Sequence, residues 1–188
     1  MSDRETSALP GAHFAGFVTV SEGGLRGMIT LRGDLSSDAV TGALTDAMGL
    51  DMPPQRRVTH AGDKAAAWMS PDELLLILPY DQAGAVADKL AQALAGEFAT
   101  VANVSDARAV FTLQGAGVFD ALAKICPVDF SEFSEGQIRR TRAAQVAAAV
   151  WMSGPDQVTL VCFRSVAQYM FDLLSAAAAP GSEPALYS

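Results

Sequence analysis

Two cysteines and two histidines are the whole supply of thiol and imidazole in these 188 residues. Cys126 and Cys162 show neither a CxxC spacing nor a disulfide framework, so a reducing cytoplasm and two buried, inert thiols are expected. His13 and His60 are too few for a metal site built on several imidazoles. No GxSxG or comparable nucleophile motif accompanies His60, which is therefore expected to be a partly exposed polar residue. Positive charge is scarce: 13 Lys and Arg stand against 21 Asp and Glu, for a net charge of -8. Nucleic acid and anionic membrane surfaces both call for concentrated Lys and Arg, so neither is expected as a partner. Long apolar runs are missing as well. Residues 74–78 (LLLIL) and 143–152 (AAQVAAAVWM) fall far short of the roughly 20 residues that cross a bilayer. The opening MSDRETSALPG carries neither the basic nor the apolar region of a secretory signal.

What is present is a globular composition, 50% hydrophobic and 18% charged, and an internal repeat. ITLRG at 29–33 matches FTLQG at 111–115, with Gly33 and Gly115 82 positions apart. AAWMSPDELLLIL at 66–78 matches AAVWMSGPDQVTLVC at 148–162, with Trp68 and Trp151 83 apart and Pro71 and Pro155 84 apart once Gly154 is taken as an insertion. Two matches in the same order at nearly one offset indicate a duplicated unit of about 80 residues.

Local periodicity repeats too. Ser36 and Ser37 start a helix whose apolar stripe is Val40, Ala43, Leu44, Ala47 and Met48. After Gly115, Val118, Ala121, Leu122 and Ile125 keep the same spacing. Each unit then passes through a loop into two strands joined by a turn containing Pro and Asp, a β-hairpin pattern. A closing helix follows, from near Asp81 in one unit and from Ser165 in the other, where Gln168 stands at capping-box spacing. The fold class is therefore α+β, a β-α-β-β-α order used twice, which is the ferredoxin-like pattern and not a doubly wound parallel sheet. The expected organisation is a flexible N-terminal arm over residues 1–24, a single domain over 25–178 in two similar halves (25–96 and 106–178), and a C-terminal tail over 179–188. The stretch EFATVANV (97–104) reads as an extra strand between the halves. Intertwined and side-by-side halves both suit the pattern.

Three features invite a functional reading. Gly115 and Gly117, between a strand and a helix, open like a dinucleotide fingerprint, but Phe119 and Asp120 stand where that fingerprint needs a small residue. A plain strand-to-helix turn is expected. Arg139, Arg140 and Arg142 cluster at the start of a strand, with alternation placing Arg140 and Arg142 on one face and Arg139 on the other. They suit either a charged sheet edge that discourages aggregation or a contact with an acidic partner or anion. Phe130 and Phe133, in the polar loop VDFSEFSEG, either tuck beneath it or anchor an interface. These five residues form the candidate partner interface; no catalytic, cofactor-binding or metal-binding set is assigned.

The segments DARAVFTLQGAGVFDALAKICPVDF (106–130), RTRAAQVAAAVWM (140–152) and VTLVCFRSVAQYMFDLLSAA (158–177), with a weaker AAAWMSPDELLLILP (65–79), resemble the gamma subunit of heterotetrameric sarcosine oxidase. Where many relatives have Gly-Pro after the first strand of the second half, this chain has Gly115-Ala116. The resemblance implies a fold like the folate-binding domain of the aminomethyltransferases. It also implies a place beside alpha, beta and delta subunits in a complex that converts sarcosine, tetrahydrofolate and oxygen to glycine, methylenetetrahydrofolate and hydrogen peroxide. FAD, FMN, NAD and tetrahydrofolate would sit in the other subunits, and this chain would stabilise the flavin-bearing ones. A stand-alone folate-binding or one-carbon-transfer protein of the same fold is the alternative.

Overall fold

The structure, a computed structural model, describes residues 5–187. The first four residues of the expected arm and the last residue of the expected tail lie outside that range. In chain order the elements are β1 (His13–Ala15), β2 (Thr19–Glu22), β3 (Gly27–Arg32), α1 (Asp38–Met48), β4 (Val58–Ala61), β5 (Lys64–Ser70) and β6 (Glu73–Leu78). There follow α2 (Ala83–Ala93), β7 (Thr100–Asn103), β8 (Arg108–Gln114), α3 (Val118–Ala123), β9 (Ile138–Ala143), β10 (Val146–Gly154), β11 (Gln157–Phe163) and α4 (Ala167–Ala177). The chain divides into two compact units, one over residues 26–105 and the other made of residues up to Leu25 together with those from Asp106 onward.

In the unit over 26–105, five antiparallel strands run in the order β4-β5-β6-β3-β7. Apart from the edge strand β4, this is the strand order of a ferredoxin-like βαββαβ unit. Leu74, Leu76 and Leu78 of β6 alternate onto one face and pack with Ile29 and Leu31 of β3 and with Val40, Leu44 and Leu90 of the helices. Burying a leucine contributes about 1.5–3 kcal/mol, so this stripe carries much of the unit's stability. Helix α1 begins where the sequence places it: the Ser37 side chain accepts from the Val40 amide at 3.2 Å, and Gly49 closes the helix at φ +70°. The segment expected as an extra strand between the halves does form a strand, over Thr100–Asn103, but as a member of this unit's sheet. Its strand, β7, pairs with β3 over Ile29–Arg32 and completes this sheet.

The other unit has the order β1-β2-β8-β11-β10-β9, also antiparallel. It is a circular permutation of the first, because the strand beside β8 comes from before β3 in the chain and not from after α4. Residues 13–22, read from sequence as part of a flexible arm, therefore form β1 and β2. Val18 and Val20 are fully buried, and β2 pairs with β8 from Thr19 to Glu22. These strands are short, β1 pairs only with β2, and the partner that joins β2 to the sheet lies far along the chain, so no local pattern reveals them. The Ser165–Gln168 capping box is not formed. A 3-10 turn over Arg164–Val166 leads into α4, and Gln168 donates to Asp172 at 2.9 Å.

The duplication is visible in matched registers. Ile29 faces Leu76 and Phe111 faces Leu160; Ala66 faces Leu76 and Val150 faces Leu160. Both hairpins carry an irregularity at the same point, between Trp68 and Ser70 and between Met152 and Gly154. Trp68 therefore corresponds to Met152, and Trp151 to Ala67. Trp68 and Met152 both pack against the helix-facing cores, whereas Trp151 is buried outside that core. The Trp-Met-Ser identity is thus one residue out of structural register, and such a slip turns a side chain to the other face.

Candidate functional site

Strand β9 lies at the edge of its sheet, paired only with β10. Arg140 and Arg142 are exposed and stand opposite Ala149 and Ala147, on one face as alternation requires. Arg139 is half-buried on the other face. It donates to the Ile138 carbonyl at 2.9 Å, and its guanidinium carbon is 5.5 Å from the centre of the Phe133 ring, within cation–π range. The arginine cluster thus splits into two outward cations and one that packs within its own unit.

Phe130 and Phe133 take the first of their two expected roles. They are 1% and 6% exposed, which removes them as anchors of an outward-facing surface. Phe119 stacks on Phe130 with centroids 5.4 Å apart, and Phe133 meets Phe130 edge-on at 5.4 Å. Tyr187 closes the group at 6.3 Å from Phe130. The C-terminal segment is held there by Asp120, only 2% exposed, whose Oδ1 accepts from the amides of Leu186 (2.7 Å) and Tyr187 (3.0 Å). From sequence, the loop's polar composition hides this role, because the covering ring arrives from the far end of the chain.

Gly115 and Gly117 do not cradle a phosphate. A Cβ at Gly117 would stand 2.9 Å from two carbons of the Phe17 ring, and one at Gly115 would stand 3.2 Å from the Phe17 carbonyl oxygen. The space that a pyrophosphate needs is occupied by Phe17, so the two glycines serve the close approach of the N-terminal segment. His13 Nδ1 lies 3.0 Å from Ser21 Oγ, and His60 is exposed on β4 opposite Ala65. Among the described residues no group of three or more His, Cys, Asp or Glu is placed to hold a metal ion, and no helix is long and apolar enough to cross a membrane.

Both thiols are buried. Burial pushes Cys126 up to about 12 and Cys162 up to about 11, the latter against an opposing pull from Arg108. The reference thiol ionises near 9, so in the unfolded chain protons leave first. The stability that the thiols' burial in the protonated form contributes is fully present below about pH 9 and is lost as pH rises through about 11 and 12. Neither thiol is expected to react with an aromatic disulfide reagent at pH 8 until denaturant is added, when both should. Labelling of the folded chain at pH 8 would contradict the burial.

A second surface was not legible as such in the sequence. In the unit over 26–105 a cleft of about 490 Å³ lies between the end of β3 and the turn from α2 to β7. Arg32 lines it and donates to Glu73 at 2.6 Å, where Glu73 is 5% exposed. That hydrogen bond, then the Glu73 charge, raises the Arg32 pKa, so the guanidinium stays charged. Asp34 is held below the usual carboxylate range by the Ser36 hydroxyl at 2.6 Å and then by the Ser36 amide at 2.9 Å. Asp72 and Glu97 also line the cleft, and the Phe98 ring at its lip is fully exposed. Within EFATVANV this phenylalanine reads as one more strand residue, but β7 begins only at Thr100.

Comparison with known proteins agrees with this architecture. A chain of the heterotetrameric sarcosine oxidase from Corynebacterium sp. U-96, solved with pyrrole 2-carboxylate, is 27% identical, with a TM-score of 0.79 over 88% of this chain and 87% of that one. The glycine cleavage system aminomethyltransferase T from Bartonella henselae is 16% identical, with a TM-score of 0.58 over 82% of this chain but only 45% of its own, and shares the fold. No curated protein sequence matches significantly. The model of the sarcosine oxidase, gamma subunit family matches residues 32–180, most of the chain and both of its units. The chain belongs to the sarcosine oxidase gamma subunit family.

Proposed function

We propose that this chain is the non-catalytic gamma subunit of a cytoplasmic heterotetrameric sarcosine oxidase, docking on and stabilising its flavin-bearing subunits beside alpha, beta and delta chains. One observation carries this reading: the likeness to a sarcosine oxidase chain runs over 88% of this chain and 87% of that one. The match takes in most of that oxidase chain. The aminomethyltransferase likeness, by contrast, spans 45% of that enzyme. The described surfaces agree with a structural role, since the fingerprint glycines are packed by Phe17 and the cleft carries carboxylates that would repel the anionic tail of a folate. FAD, FMN, NAD and tetrahydrofolate are accordingly assigned to the partner chains. Arg140 and Arg142 remain the proposed cationic contact, while Arg139 belongs with Phe133.

The test is co-expression of the tagged chain with the other oxidase subunits, followed by size exclusion with flavin absorbance recorded across the peak. The chain is expected to co-elute with flavin, and sarcosine-dependent peroxide should fall when it is omitted. The R140E/R142E variant is expected to fold normally and to lower its own occupancy about tenfold, the effect of 1.4 kcal/mol in binding. A fully active flavoprotein complex formed without this chain would overturn the reading.

A further inference from the structure

We propose that the acidic cleft beside β3, with Phe98 at its lip, is a docking surface for a partner subunit that offers an apolar socket rimmed by Lys and Arg. This rests on the docking role proposed above and adds the surface used and the chemistry of the partner.

A lone exposed aromatic is ordinary on a protein surface. What distinguishes Phe98 is how it is held. The Glu97 amide donates to the Leu94 carbonyl at 3.0 Å and the Ala99 amide to the Glu97 carbonyl at 2.8 Å, so the turn closes directly around Phe98. Gly96 supplies the turn at φ +97°, and Leu94 before it is buried in the core. Behind the ring, Ala99 sits against Gly33, where a Cβ would come within 3.2 Å of the Ala99 methyl. The backbone is thus fixed on both sides while the ring stands fully in solvent. An aromatic ring carried on a fixed backbone loses little backbone entropy on binding, and phenylalanine is among the aromatic residues enriched at interfaces.

The charge around it selects the partner. Asp34, Asp72 and Glu97 line the cleft, and Glu73 lies behind Arg32, its guanidinium partner. Four carboxylates against one guanidinium leave the surface acidic. Polyanionic nucleic acid and anionic lipid are repelled by such a surface, whereas a protein socket with a basic rim is attracted and steered to it. The ring fills the socket, and the carboxylates pair at the periphery, where water is excluded last.

The experiment is a competition inside the assembled oxidase. Wild-type chain and a variant, differently tagged, are co-expressed with the other subunits, and their shares in the purified complex are counted by mass spectrometry. The Phe98→Ser share is expected to fall about 30-fold, as for a hot-spot aromatic, and the Glu97→Lys share severalfold, the latter less in high salt. Both substitutions are at exposed positions, so the thermal midpoint of each isolated variant should match wild type. Equal shares for Phe98→Ser and wild type overturn the surface while leaving the docking role intact. Absence of both chains from the complex overturns the docking role and the surface with it. Loss of self-association by the isolated Phe98→Ser chain, with its share unchanged, would make the occupant a second copy and overturn the proposal.

Discussion

A variant that starts at Gly23 is expected to lose the folded structure of the unit containing β8 and α4. Strand β2 lies between β1 and β8, so its removal exposes the edge of β8 from Phe111 to Gln114. Val18 and Val20 leave the core with it, both fully buried, at roughly 1.5–3 kcal/mol each. Phe17 leaves too, and its amide no longer donates to the Ala178 carbonyl at 3.0 Å. Against a typical net stability of about 5–15 kcal/mol, these losses take most of what holds a unit together. The bared strand edge then favours aggregation. Size exclusion and circular dichroism of the truncated chain should show aggregated material or a strongly lowered thermal midpoint. A point version exists at Gly16, where an added Cβ would stand 1.9 Å from the Ala178 carbonyl oxygen. Because that neighbour is backbone, Gly16→Ala forces the N-terminal segment away from the end of α4. A Gly16→Ala chain as heat-stable as wild type would show that this segment does not help hold the unit.

How much of this was open to sequence follows the range of each interaction. Helix α1 was legible because its cap and apolar stripe sit within one short window. The hairpins were legible through repeated Pro-Asp turns, yet the Trp-Met-Ser identity aligned Trp68 with Trp151, one residue from the structural match. Identity of a tripeptide outweighed the count back from the turn, and only the strand registers separate the two. Strands β1 and β2 were hidden for a different reason: HFA and TVSE are short and half polar, and the pair is anchored to the sheet by the pairing of β2 with β8. The arginine alternation on β9 needed only a two-residue period and was readable. The inward turn of Phe130 and Phe133 was not, because it depends on Phe119 and Tyr187. Phe98 escaped notice because a turn, invisible to strand alternation, sets its ring outward.

Phe130→Ala is the second large effect expected, and it separates a core role from an interface role at a residue for which sequence allowed both. The side chain is 1% exposed and contacts three rings, stacked on Phe119 and edge-on to Phe133 and Tyr187. Truncation to a methyl group removes its transfer free energy and leaves a cavity that neighbouring rings fill only in part, for a cost of about 3–5 kcal/mol. For a chain of this size that lowers the thermal midpoint by roughly 10 °C. The cavity also loosens the seat of the C-terminal segment, so the amides of Leu186 and Tyr187, bonded to Asp120, should exchange with solvent faster. Phe130→Leu, which restores much of the lost volume, should recover part of the midpoint. Phe133→Ala should cost less, since one side of that ring already faces the Arg139 guanidinium. An interface anchor would behave the other way round: the isolated Phe130→Ala chain would melt like wild type and fail only in assembly. The burial of Phe130 makes loss of stability in the isolated chain the expected result, with any loss of assembly following from the smaller folded fraction.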